Sequence, residues 1–145
     1  PGLDFCSLAN AGSIGVAQDI MDRFEDYDYL HDIGELKIKM SGCMNGCGHH
    51  SVGHIGILGV DKEGEEWYQI TLGGSSSNDA RLGDRIGPSI ARDHVVDTIA
   101  RIIETYVDHR VEGEEFADTY RRIGLDPFKA KVYARDAAHA AAAAA

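Results

Sequence analysis

Ten residues, 41–50, read SGCMNGCGHH, and no regular helix or strand accommodates them: three glycines and two cysteines fall within ten positions. Glycine weakens helix and strand interiors, so this stretch has to be a loop. Its place in the fold follows from what precedes it. Over residues 35–40 the chain alternates strictly, with Leu36, Ile38 and Met40 on one side and Glu35, Lys37 and Lys39 on the other. Such alternation marks a strand with one wet face. The loop therefore leaves the end of a strand, and the fold must be built on a sheet. A C-x3-C pair on a loop can turn both sulfurs toward one centre. Gly42, Gly46 and Gly48 permit positive φ and close approach of backbone N–H groups.

Periodicity supplies the remaining elements. Ser13 is positioned to cap a first helix with apolar residues Ile14, Ala17, Ile20, Met21 and Phe24 at three- and four-residue spacing. Residues 54–60 and 66–72 are rich in β-branched and aromatic side chains, and Asp61-Lys62-Glu63-Gly64 between them has hairpin-turn composition. These two strands should pair antiparallel. Residues 73–78 form a Gly/Ser/Asn loop, and the stretch to Arg92 has no period and reads as irregular. From Asp93 a wide apolar stripe of Val95, Val96, Ile99, Ile102, Ile103, Tyr106 and Val107 predicts a helix. A third helix starts near Glu114, packs through Phe116, Tyr120 and Ile123, and stops at Gly124, with Pro127 beyond it as a terminator. The alanine run at 137–145, broken by His139, is helix-prone with no face to bury, so it is expected to fray or to depend on packing. The order α-β-β-β-α-α gives an α+β class: a small, mostly antiparallel sheet covered by helices, with a helical C-terminal half.

A chain of 145 residues with 43% hydrophobic and 26% charged side chains has the composition of one soluble globular domain. It has no apolar run near the roughly 18 residues of a membrane span and no signal-peptide pattern, so it reads as cytoplasmic with no membrane partner. The net charge of −10 excludes a nucleic-acid backbone as the expected partner. Residues 1–75 carry 12 acids against 4 bases. Asp19, Asp22, Glu25, Asp26, Asp28, Asp32 and Glu35 concentrate that excess and read as the solvated face of a helix.

The three cysteines, Cys6, Cys43 and Cys47, cannot all pair in disulfides. Cys6 lies in another loop just before the first helix, and folding can bring it to the same centre. Thiolates with backbone donors around them suit an iron–sulfur cluster. A Cys3His zinc site with one of His49, His50 or His54 is a second reading, and plain structural cysteines in a glycine turn a third. Thiolate catalysis is the weakest, since there is no C-x-x-C and no base beside Cys47 except the histidines. From the residues alone these remain open.

The segment 41–50, followed by VGHIGILG at 52–59 and Leu72-Gly73-Gly74, closely resembles the C-terminal region of siroheme-dependent sulfite and nitrite reductases. So do PGLDFCSLAN at 1–10 and DTYRRIGLDPF at 118–128. The resemblance covers residues 1–134 as a 4Fe-4S and siroheme-binding C-terminal domain, leaving 135–145 as an alanine-rich tail. In that family C-x5-C and C-x3-C pairs hold a 4Fe-4S cluster, and the last thiolate also bridges to the siroheme iron. The resemblance thus implies Cys6, Cys43 and Cys47 as cluster ligands, Cys47 as the bridge, and Asn45 and Gly46 as cofactor contacts. The polar-turn reading of Asn45 and Gly46 stands beside this one. The partner of Cys6 would stand immediately before Pro1, and with no Met at the first position the chain reads as a piece of a longer reductase, inactive alone.

The implied reaction is six-electron reduction of sulfite to sulfide or nitrite to ammonia. The implied partners are the remaining domains of the reductase and a ferredoxin or flavoprotein donor. An acidic ferredoxin would avoid the acidic first helix and dock elsewhere. His49, His50 and His54 are candidate proton donors. Residues 73–78 are a candidate anion nest, and Arg81, Arg85 and Arg92 are nearby cations without an assigned catalytic part.

Overall fold

Two-residue alternation and one tight turn generate the centre of the sheet. In the computed structural model, which describes residues 2–25 and 32–143, β2 (Ile55–Lys62) and β3 (Glu65–Leu72) pair antiparallel over their full length. Glu63 and Gly64 join them at φ 55° and 83°, the positive pair that a two-residue hairpin matched to strand twist requires. β1 (Ile38–Ser41) adds to β2 in parallel, Ile38 opposite Ile55 and Ser41 opposite Leu58. Two short strands share the far edge of β3. β4 (Asp84–Arg85) pairs near Leu72, and β5 (Ile90–Ala91) near Trp67. The stretch expected to be irregular thus contributes two strands, each too short to leave a period.

The parallel pairing gives the Cys/Gly segment its architectural position. Parallel neighbours need a crossover of about a dozen residues or more, and residues 42–54 are that crossover, carrying only a 3-10 turn at His50–Val52. The loop is thereby pinned at both ends by the sheet.

Four helices complete the α+β domain: α1 (Ile14–Phe24), α2 (Val95–His109), α3 (Phe116–Ile123) and α4 (Asp126–Ala143). α2 lies at the centre of the helical part, packed against α1, α3 and α4, and buries Val95, Ile99, Ile102, Ile103 and Tyr106. Phe116 is fully enclosed among the rings of Tyr106, Tyr120, Phe128 and His54. Gly124 ends α3 at φ 73°, its N–H bonded to the Tyr120 carbonyl, as expected for a glycine stop.

Three local expectations are corrected. Pro127 does not terminate a helix; it sits in the first turn of α4, where its missing N–H costs nothing. Ser13 makes no side-chain cap to α1. The Asp4 carboxylate instead accepts the N–H groups of Ser13 and Ile14 at 3.0 and 3.2 Å. The apolar stripe of α1 also divides: Val16 and Ile20 are buried and Phe24 packs on the core, whereas Ile14, Ala17 and Met21 face outward. Pro1, Asp26, Asp28 and the last two alanines of the terminal run lie outside the described residues.

Candidate functional site

The geometry of the cysteine region follows from close backbone approach. A Cβ on Gly42 would collide with the Gly2 Cα and come within 2.8 Å of the Ala11 carbonyl. Only glycine allows the N-terminal loop to lie against the crossover there. The Gly42 carbonyl accepts the N–H groups of both Asn10 and Ala11 at 2.9 and 3.1 Å. Within the N-terminal loop, Gly2 at φ 68° bridges to Gly12, and its carbonyl accepts the N–H of Cys6 at 2.9 Å. Two segments distant in sequence are thus stapled together through main chain.

Cys6, Cys43 and Cys47 line one narrow cleft at this junction, with Gly2, Ala9 and Gly42 completing its walls. Their exposure is graded: Cys43 is buried, Cys6 half-buried and Cys47 exposed. Among the described residues, no three His, Cys, Asp or Glu side chains converge closely enough to hold a single metal ion. Tetrahedral zinc needs all four ligands within about 2.0–2.3 Å of one point, so the Cys3His arrangement is not assembled. A four-iron cube spreads its thiolates over a larger body. Three thiols sharing one cleft walled by glycine and alanine are the donor chemistry that such a cluster uses.

The loop from Cys43 to His49 is two consecutive turns. The Gly46 N–H donates to the Cys43 carbonyl at 3.1 Å and the His49 N–H to the Gly46 carbonyl at 2.8 Å. Gly46 and His49 both take positive φ, 68° and 54°. Met44 and Asn45 project outward from the first turn. Ser41, which sequence reasoning did not single out, holds the loop from the strand end: its Oγ accepts the Gly48 N–H at 3.1 Å and lies 3.0 Å from His50 Nδ1. Its only sequence signal is its place between the alternating strand and the first glycine.

The three histidines separate. His49 is exposed. Burial holds His50 below the ordinary imidazole value, favouring its neutral form beside Ser41. His54 is buried against Phe116, and its Nδ1 accepts the Lys37 N–H at 3.1 Å. Burial also lowers its pKa, with Glu35 and Glu115 opposing and Lys37 and Arg121 assisting. It is a satisfied core histidine, outside the cysteine cleft. Within the candidate nest at 73–78, three N–H groups are already engaged. Gly73 N–H donates to His54, Ser75 N–H to Arg81 and Ser77 N–H to Ser75 Oγ, which in turn donates to Asp79. Arg92 pairs with Asp19, and Arg85 donates to the Gly87 carbonyl.

A family model described as the nitrite and sulphite reductase 4Fe-4S domain matches residues 1–140. The chain belongs to this family. Among its relatives is the sulfite reductase [NADPH] hemoprotein beta-component of Bacillus velezensis, 31% identical over 126 residues, covering 85% of this chain and 21% of that protein. The sulfite reductase [ferredoxin] of Mycobacterium tuberculosis is 32% identical, over 88% of this chain and 25% of its own length. The solved structure of Mycobacterium tuberculosis NirA protein superposes with a TM-score of 0.73 at 30% identity, again over 88% of this chain and 25% of that one. The chain therefore spans between a fifth and a quarter of these relatives, the first two of which are named as sulfite reductases, and shares the fold of the last. No helix among the described residues is long and apolar enough to cross a membrane.

Proposed function

We propose that this chain is the cluster-bearing C-terminal part, residues 1–134 with a tail at 135–145, of a longer siroheme-dependent sulfite or nitrite reductase. In this reading Cys6, Cys43 and Cys47 are three of four thiolate ligands to a 4Fe-4S cluster. Cys47 would also be the ligand shared with the siroheme, and Asn45 and Gly46 would be cofactor contacts. The observation that carries the reading is the shared cleft of the three thiols, drawn from two segments that main-chain hydrogen bonds hold together. The graded exposure supports the division of labour: buried Cys43 suits an anchor, and exposed Cys47 is accessible to a second group.

When bound, these groups supply single electrons and an iron at which the oxyanion is reduced by six electrons. The part played by this chain is geometric and electrostatic. Ser41 and the glycine turns fix the loop so that Cys43 and Cys47 keep their separation before anything binds. Walls of glycine and alanine let backbone approach the sulfurs closely, which is how a protein tunes such a centre. The remaining domains of the reductase, a ferredoxin or flavoprotein donor, and sulfite or nitrite are the proposed partners.

The test is iron, acid-labile sulfide and visible absorption, measured on this chain and on a longer polypeptide that supplies the residue before Pro1. The longer form is expected to hold a stoichiometric cluster and siroheme bands, and this chain alone is not. A residue other than cysteine immediately before Pro1 would undercut the four-thiolate arrangement. A complete cluster with siroheme on this chain alone would overturn the claim that it is a part.

A further inference from the structure

α1 is apolar on two sides. Val16 and Ile20 enter the core, while Ile14 and Met21, with Ala17 between them, repeat at i, i+3 and i+7 along the outer side. Met21 is 66% exposed and Ile14 49%. A helix whose apolar arc runs past its core-facing side onto an exposed one presents surface for a further contact. The N-terminal loop extends the same surface, with Phe5 81% and Leu8 72% exposed. Leu3 joins loop to helix, sharing a hollow with Gly15 and Val16, and the bonds from Ser13 and Ile14 to Asp4 tie the two together. Of the nine large apolar side chains exposed among the described residues, six belong to positions 3–44. Clustering of this kind marks an interaction surface, whereas scattered exposed residues do not.

We propose that the outer stripe of α1 and the loop bearing Leu3, Phe5 and Leu8 form the seat for the preceding domains of the same reductase polypeptide. The inference rests on the reading of this chain as one part of a longer reductase. Two facts select that occupant. The relatives are four to five times longer than the matched region, which supplies 21% to 25% of their length. The patch is also continuous with the cysteine cleft, since Cys6, which lines that cleft, lies between Phe5 and Leu8. A second copy is disfavoured by charge: it would bring Asp22 and Glu25 at the edge of the stripe toward their own duplicates on a chain of net charge −10.

Hydroxyl-radical footprinting tests the proposal by comparing this chain with the longer polypeptide. Oxidation of Met21 and Phe5 is expected to fall about tenfold in the longer form. Equal labelling in both would overturn the proposal, as would protection in this chain accompanied by a dimer in sedimentation. Cofactor absorption on the same longer sample separates the two claims: cofactor bands with unprotected Met21 sink the surface alone, and protected Met21 without cofactor sinks the reductase reading alone. As a second check, Met21→Glu should leave the thermal midpoint of this chain unchanged while splitting the unfolding of the longer form into two transitions. A single unchanged transition there would contradict the docking.

Discussion

Gly42 and His54 show how differently two conspicuous residues of one segment behave. At Gly42 a methyl group has nowhere to go, with the Gly2 Cα and the Ala11 carbonyl both in its path and both main chain. Gly42→Ala should therefore destabilise the chain by about 1–3 kcal/mol, the range for forcing atoms into a packed site. It should also push the Cys6 loop away from Cys43. Thermal denaturation of this chain, together with iron retained after reconstitution of the longer polypeptide, measures both, and an alanine variant of that longer form with wild-type iron content would show that the close approach is dispensable. His54, by contrast, is held neutral by burial. Its folded pKa lies below the unfolded value of about 6.5, so acidification protonates the unfolded chain first. Its contribution to stability is complete above pH 6.5 and is lost as the pH falls toward the folded value. An NMR titration of the ring should give a midpoint below 6.5, and a midpoint at or above 6.5 would refute this account. The glycines around the cysteines were legible as a loop requirement. The particular contact between Gly2 and Gly42 was not, because residues 40 apart meet only through the fold.

Helix α1 begins where it does because a carboxylate nine residues upstream satisfies its first N–H groups. Those two hydrogen bonds hold Asp4 below the ordinary carboxylate value. Asp4→Asn should lower the thermal midpoint at pH 7, and the difference from wild type should shrink on acidification as Asp4 itself becomes protonated. A pH-independent difference would assign the loss to something other than charge. The α3 end carries a similar device: Arg122 and the Val111 N–H hold Glu114 down to about 2. Because that folded value lies below the unfolded one, the contribution of Glu114 persists above the usual carboxylate range and disappears only as the pH falls toward 2. Glu114→Gln should lose stability at pH 7 and match wild type near pH 2, read by chemical denaturation at the two pH values. Both devices join residues whose sequence separation hides them. For the same reason the hairpin and α2 were readable from local period and composition, whereas the parallel β1–β2 pair and the two-residue strands were not. Pro127 carries two meanings in a sequence, because a proline just past one helix is also a favoured start for the next.

The whole molecule separates what holds the fold from what the fold presents. The core lies around α2 and the sheet, with Phe116 enclosed by four rings. The cysteines sit at the other end of the logic: one is buried, one half-buried and one exposed, on loops braced by main-chain bonds and not by their sulfurs. A module folded by its metal loses structure when the metal is removed; this arrangement should not. Replacing all three cysteines with serine, or adding a strong chelator, is expected to leave far-UV circular dichroism and cooperative unfolding in place. Phe116→Ala should cost about 3–5 kcal/mol, the usual range for emptying an enclosed aromatic site. If chelation unfolded the chain while Phe116→Ala did little, the fold would depend on the metal and the separation of core from site would be wrong. The opposite pattern places the stability in the aromatic and aliphatic core and leaves the cysteine loops free to serve a partner group.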